Sequence, residues 1–222
     1  YVVKYALLPI VSKNYIYTEN LEKEKYNKKK LREIFFEKDL LDEDDSKPSK
    51  LAERFTVYSG NKKESVASVF AAHFGYPANT LRGTKIAGDD IFLLNAINKD
   101  NTGVTFNSLS YLYDLSTRQL KSDIKLLPLD IKKEYREVLE SSTIDDVLTL
   151  VENEDVDLIP IQKIGFVINN SAATKPEVKD FIKWVLTEGQ QYNHDYGFLR
   201  LSRDIQLAQI RQIESKYLTL NK

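Results

Sequence analysis

An α/β fold is what this 222-residue sequence predicts, on three observations. Short apolar runs of strand length alternate with longer segments whose apolar residues recur at helical spacing. Gly, Pro and polar clusters punctuate the boundaries between them. Two similar hydrophobic–Pro–hydrophobic stretches, Leu8-Pro9-Ile10 and Ile159-Pro160-Ile161, stand near the two ends. Such a pair suits a chain that leaves one α/β unit and later returns to it; chance likeness between two apolar strands is the alternative.

The first strand is predicted over Tyr5–Val11, with Pro9 at an edge or bulge because it cannot donate to a ladder. Ser12 to Asn20 reads as a polar connection. Asn27 opens a helix in which Leu31, Ile34 and Phe35 share a face. Asp39 to Lys50 is a charged loop, and Phe55 to Tyr58 is strand-like. A helix is predicted from Ser65 to Phe74, stopped by Gly75 and Pro77. Another runs from Asp89 to Asn98, followed by a short strand at Gly103–Phe106 and a short aromatic segment at Ser108–Tyr113. Ile124–Leu129 is predicted as a strand, Lys132–Glu140 and Ser142–Val151 as helices, and Leu158–Ile168 as a second apolar strand. One helix is expected over Lys175–Tyr196, with Gly197 as its cap. A last amphipathic helix follows from Ser202 to Leu220.

Composition removes several function classes. The chain is 42% hydrophobic, enough for a sizeable core. Its 32 Lys and Arg nearly balance 33 Asp and Glu, which argues against a dedicated nucleic-acid binder. Lys28-Lys29-Lys30 sits among Glu22, Glu24 and Glu33 and reads as a solvated helical face. With no Cys there is no disulfide, thiolate metal site or Cys nucleophile. There is no apolar run of the roughly 18 residues that a spanning helix needs. The chain begins Tyr1-Val2-Val3 with no signal-peptide pattern and no initiator Met, so a cut or processed N-terminus is expected.

Catalytic and metal patterns do not emerge. His73 and His194 have no partners at metal-ligand spacing and read as structural or surface residues. Asp42-Glu43-Asp44-Asp45 lacks the Gly and terminal Glu of a calcium loop. Gly83-Thr84-Lys85-Ile86-Ala87-Gly88 is followed by Asp89-Asp90, where a phosphate-binding P-loop needs Lys and Ser or Thr. Neither a nucleophile elbow nor a Ser-His-Asp arrangement can be read off, and no cofactor is predicted.

One segment has the makings of an anion site. Val57-Tyr58-Ser59 is a strand end, Gly60 to Glu64 a polar turn, and Ser65 a helix start. Free N–H groups and the positive end of the helix dipole converge at such a junction, and Lys62 and Lys63 add charge. An ordinary capped helix start is the competing reading. The candidate contacts are Ser59, Gly60, Asn61, Lys63, Ser65 and Val66.

The stretch Val57–Phe70, VYSGNKKESVASVF, resembles a segment of the phosphate-binding proteins of ABC uptake systems. In that family a "V-Y-S-R" strand leads through a turn to Ser-Gly-Thr at a helix start. Further likenesses follow the same order: the helix ending near Phe35, the segment Asn101–Leu112, Lys125-Leu126-Leu127-Pro128-Leu129, and Pro176–Leu199 with its Thr187-Glu188-Gly189-Gln190. Together they cover most of Tyr5–Ser202. Two departures stand out. The family's Arg falls at Gly60, and its Ser-Gly-Thr falls on Glu64-Ser65-Val66, where Glu64 would repel an anion and Val66 offers no hydroxyl.

The resemblance implies a type 2 periplasmic-binding-protein architecture, two α/β lobes of mixed sheets with a ligand cleft at the hinge. Residues 1–11 would form a hinge-proximal strand of lobe one, 12–155 lobe two, and 156–222 the return to lobe one. It implies a non-enzymatic receptor that binds phosphate or a similar small oxyanion non-covalently by lobe closure. The implied partner is a membrane permease and the implied place extracytoplasmic, periplasmic or lipid-anchored, as a monomer. It also implies a further segment before Tyr1, on the order of half a lobe. The alternatives are a scaffold or partner-binding module with a degenerate cleft, or a receptor for another solute such as a carbohydrate or peptide, which 13 Tyr would permit.

Overall fold

The computed structural model describes residues 1–37, 49–61, 66–141, 143–169 and 175–220; for 22, 141 and 216–220 only the backbone is described. Lys62 to Ser65 and Asp42 to Asp45, which carry parts of the expectations above, lie outside the described residues.

A mixed sheet organises the molecule, in the order β3-β2-β4-β1-β5. Its strands are β1 (Val3–Ser12), β2 (Thr56–Gly60), β3 (Thr84–Ile86), β4 (Gly103–Ser108) and β5 (Ile124–Leu126). β2 pairs in parallel with β3 and β4, whereas β1 pairs antiparallel with β4 and β5. Every residue of β4 is buried, as a central strand covered on both faces requires. β3 begins after Gly83, whose φ of +80° and position 2.1 Å from the Val57 carbonyl oxygen (for an added Cβ) admit only glycine.

β1 is longer than Tyr5–Val11 and has two sets of partners. Leu7–Val11 pair with β4, while Val3–Ala6 pair with β6 (Ile161–Ile164). Pro9 lies in the middle of this strand, not at the edge or bulge that its chemistry suggests. The amide of Leu7 bonds Pro160, and the carbonyl of Pro9 accepts from Leu127. The missing Pro9 N–H therefore falls where β1 exchanges β6 for β5, and no ladder bond is lost.

Helices cover the sheet: α1 (Thr18–Lys23), α2 (Lys28–Phe35), α3 (Val66–Phe74), α4 (Ile91–Asn98), α5 (Leu109–Leu112), α6 (Lys133–Ser141) and α7 (Ile144–Asn153). The main core runs from Leu7, Ile10 and Phe106 to Leu31, Phe35, Phe70 and Phe74. A separate small cluster joins Val2, Ile182, Leu186 and Leu201, contributed by the residue before β1, by α8 (Pro176–Leu186) and by the residues before α9 (Arg203–Leu220). Among the described residues, no helix is long and apolar enough to cross a membrane.

Three expectations are corrected. The polar connection after Ser12 contains α1. The Leu158–Ile168 strand shrinks to Ile161–Ile164, all four exposed, because Pro160 precedes it and Leu158 and Ile159 turn inward. The Lys175–Tyr196 helix ends at Leu186. Beyond it the buried Gln190 side chain donates to the carbonyls of Val2 and Val185, both at 2.8 Å, and accepts from the Leu201 amide at 2.9 Å. A continuous helix would carry Gln190 past these partners, so Thr187 leaves helical geometry and tight turns follow to Gly197.

Candidate functional site

A cleft of about 690 Å³ opens where β1 passes from the main core to β6. One wall is Tyr5 on β1 with Gln162 and Lys163 on β6; Tyr5 is directly opposite Gln162 in the ladder. The other wall is built from helix starts. Val66 and Ser68 come from the first turn of α3, Asp90 precedes α4, and Ser108 and Ser110 flank the start of α5.

Local chemistry explains why these residues sit there. β4 ends at Ser108, and the change from strand to helix leaves the Ser108 and Ser110 hydroxyls 2.9 Å apart at the mouth of α5. Asn107, fully buried, receives the Ser108 amide at 2.8 Å and donates to the Asp90 carbonyl at 2.9 Å. It thereby fixes the start of α4 against the end of β4. Tyr111 donates to Asp89 at 2.8 Å, and that bond first, with burial second, pushes its hydroxyl up to about 12. Gly197, with φ +74°, brings its backbone so close to α5 that a Cβ would lie 2.9 Å from the Ser110 Cα. Phe198 follows it into the cleft.

The cleft is polar but not strongly charged. Among the described residues, its ionisable acidic and basic side chains are Asp90 and Lys163, on opposite walls. Burial, and secondarily the Asp90 carboxylate, raise the Tyr5 hydroxyl above its ordinary range, so Tyr5 stays protonated and able to donate. Hydroxyl donors, the Lys163 ammonium and the N-terminal ends of α3 and α4 together favour a small ligand rich in acceptor oxygens. Among the described residues, no group of three or more His, Cys, Asp or Glu could hold a metal ion.

The six residues singled out from sequence are placed as follows. Val66 lines the cleft. Ser59 is fully buried at the end of β2, and its hydroxyl accepts from the Lys85 ammonium at 3.1 Å. Burial holds Lys85 below its ordinary pKa, with Glu37 pulling the other way. Gly60 pairs with Ile86, and the Asn61 amide bonds the Ile86 carbonyl at 3.1 Å. Lys63 and Ser65 lie outside the described residues. Sequence reasoning passed over Tyr5, Ser68, Asp90, Ser108, Ser110 and Lys163. The available signal was a strand end followed at once by a helix start, at Asn107-Ser108-Leu109, which repeats the pattern read at Ser59.

No protein-family model and no curated protein matches the chain. Solved structures do. A "possible phosphate binding protein" from Planctomyces limnophilus superposes with a TM-score of 0.53 at 13% identity, over 100% of this chain and 72% of that one. An ABC-type phosphate transport receptor from Vibrio cholerae gives 0.52 at 11% identity, over 90% and 71%. The chain has the periplasmic-binding-protein-like fold of these two proteins.

Proposed function

We propose that the chain is a non-enzymatic solute receptor of an ABC uptake system that captures phosphate or a similar oxyanion in the Tyr5–Ser108 cleft. The observation that carries this reading is the convergence of three helix starts and the Ser68, Ser108 and Ser110 hydroxyls on one 690 Å³ cleft beside a strand shared by two cores. Residues 1–11 and 156–222 would belong to lobe one and 12–155 to lobe two, with β1 as the hinge strand. Binding would proceed by closure of the lobes with no covalent step. Lys163 supplies positive charge, while Asp90 disfavours a fully deprotonated anion and favours one that keeps a proton. Ser59, Gly60, Asn61, Lys63, Ser65 and Val66, the segment from the end of β2 to the start of α3, would contribute further ligand contacts. The partner would be a membrane permease and the setting extracytoplasmic, in a periplasm or on a lipid anchor.

A ligand that binds only the folded chain stabilises it by roughly 2.7 kcal/mol at a hundredfold excess over Kd. For a chain of this size each kcal/mol raises Tm by about 2–4 °C. Phosphate should therefore shift the thermal unfolding midpoint by several degrees, and Ser108→Ala with Ser110→Ala should remove the shift. A flat response at millimolar phosphate would favour the second reading, a partner-binding scaffold, to which the apolar Val66 side chain in the cleft gives some support.

A further inference from the structure

α1, the turn after it, edge strand β5 and α6 enclose a second pocket of about 440 Å³ that shares no residue with the cleft. Among the described side chains, four cations line it, Lys23, Lys25, Lys125 and Arg136, against two carboxylates, Glu24 and Glu140. Glu24 is already engaged: Arg54 donates to both its oxygens at 3.0 to 3.1 Å, and Lys30 lies 3.7 Å away. Glu140 meets Arg136 only at 3.8 Å and is about half exposed, 48%. The local field is therefore positive.

Arg136 supplies the second observation. Arg136 lines the pocket together with Pro128 and Leu126, and its Nη1 is buried with no acceptor among the described residues. A guanidinium has five donors and no acceptor, so a buried N–H without a partner is unfavourable until an oxygen is brought to it. Leu21, Leu126 and Pro128 give the pocket apolar surface around these charges.

We infer that this pocket is a separate site for a small organic polyanion, a di- or tricarboxylate, whose carboxylates meet Lys125, Arg136 and the α1-end lysines and whose carbon body lies on Leu21 and Leu126. Planar carboxylate oxygens match the guanidinium fork, and the two lysines near the end of α1 can each follow a second carboxylate. Lys125, half-buried on β5, fixes the position of the first.

The inference is independent of the cleft reading, and the test separates them. Citrate titrated into the uniformly 15N-labelled chain should give saturable amide shifts at Thr18–Lys25 and Ile124–Leu126, weakened by added salt. Lys125→Ala with Arg136→Gln should weaken citrate binding about tenfold or more; Lys125→Ala alone, which leaves the packed Arg136 in place, should weaken it measurably. Ser108→Ala with Ser110→Ala should leave citrate binding unchanged while removing the phosphate response. The inference is overturned if no saturable shifts appear at tens of millimolar citrate, if the shifts centre on Ser108–Tyr111, or if the Lys125→Ala chain binds citrate as tightly as the parent.

Discussion

At the scale of single residues, the buried polar atoms decide most. Ser59, Asn107 and Gln190 are all buried, and each has its hydrogen bonds supplied by Lys85, Asp90 or the Val2 and Leu201 backbone. Tyr113 is the contrast. It is 1% exposed, its hydroxyl has no partner among the described residues, and burial alone pushes its pKa up to about 12. A buried hydroxyl left unbonded costs about 1–3 kcal/mol relative to one in water. Tyr113→Phe removes the oxygen and keeps the ring. The expected outcome is unchanged stability or a gain of about 1 kcal/mol in urea unfolding. A loss of that size would mean that the hydroxyl has an acceptor after all.

At the scale of elements, the caps show how far local chemistry reaches. Asn27 accepts the Lys30 amide at 3.0 Å, so α2 starts where its sequence signal placed it. α7 starts with a capping box in which Thr143 and Asp146 bond each other's backbone. Thr143→Ala should cost about 1 kcal/mol, read as a lower urea midpoint, and Thr143→Ser should restore most of it. An alanine variant as stable as the parent would show that packing of Val147 and Leu148 holds α7 without its cap. Such signals are local, which is why β1, α2, α3, α4, α7 and α9 were legible in the sequence. The end of α8 was not, because it is set by Gln190 reaching Val2, 188 positions away. β6 was overread because apolar content alone cannot tell a buried strand from an exposed one bounded by Pro160 and Gly165. The cleft was legible only at Val66. Tyr5, Asp90, Ser108 and Lys163 come from four distant segments with no common spacing; the register between β1 and β6 brings Tyr5 to Lys163, and Asn107 holds Asp90 beside Ser108.

At the scale of the whole molecule, the question is what couples the main core to the small cluster around Ile182. Besides β1, a polar network joins α7 to the chain near Gly197. Arg118 pairs with Asp145 at 2.9 and 2.5 Å, and the same guanidinium donates to the carbonyls of His194 at 2.8 Å and Asp195 at 3.4 Å. Glu152 accepts from the Arg200 amide and lies 2.9 Å from the His194 ring. Arg118 holds φ at +63°, unique to it among the described non-glycine residues, so the network sustains a backbone conformation that an arginine disfavours. The hydrogen bond from Arg118 holds the Asp145 carboxyl below its usual range, against the opposing pull of partial burial. A depressed carboxylate pKa contributes stability that is complete above the unfolded value of about 4 and is lost as pH falls through the folded value. The urea midpoint should therefore drop as pH falls below about 4, in part through this pair. Arg118→Met returns Asp145 toward its ordinary pKa and frees the His194 and Asp195 carbonyls. It should lower the midpoint at neutral pH, flatten the acid limb, and reduce the cooperativity with which the α8–α9 region unfolds alongside the sheet. An acid limb as steep as the parent's would assign the acid sensitivity to other depressed carboxylates, Glu24 beside Arg54 foremost, and would leave β1 as the principal coupling between the two cores.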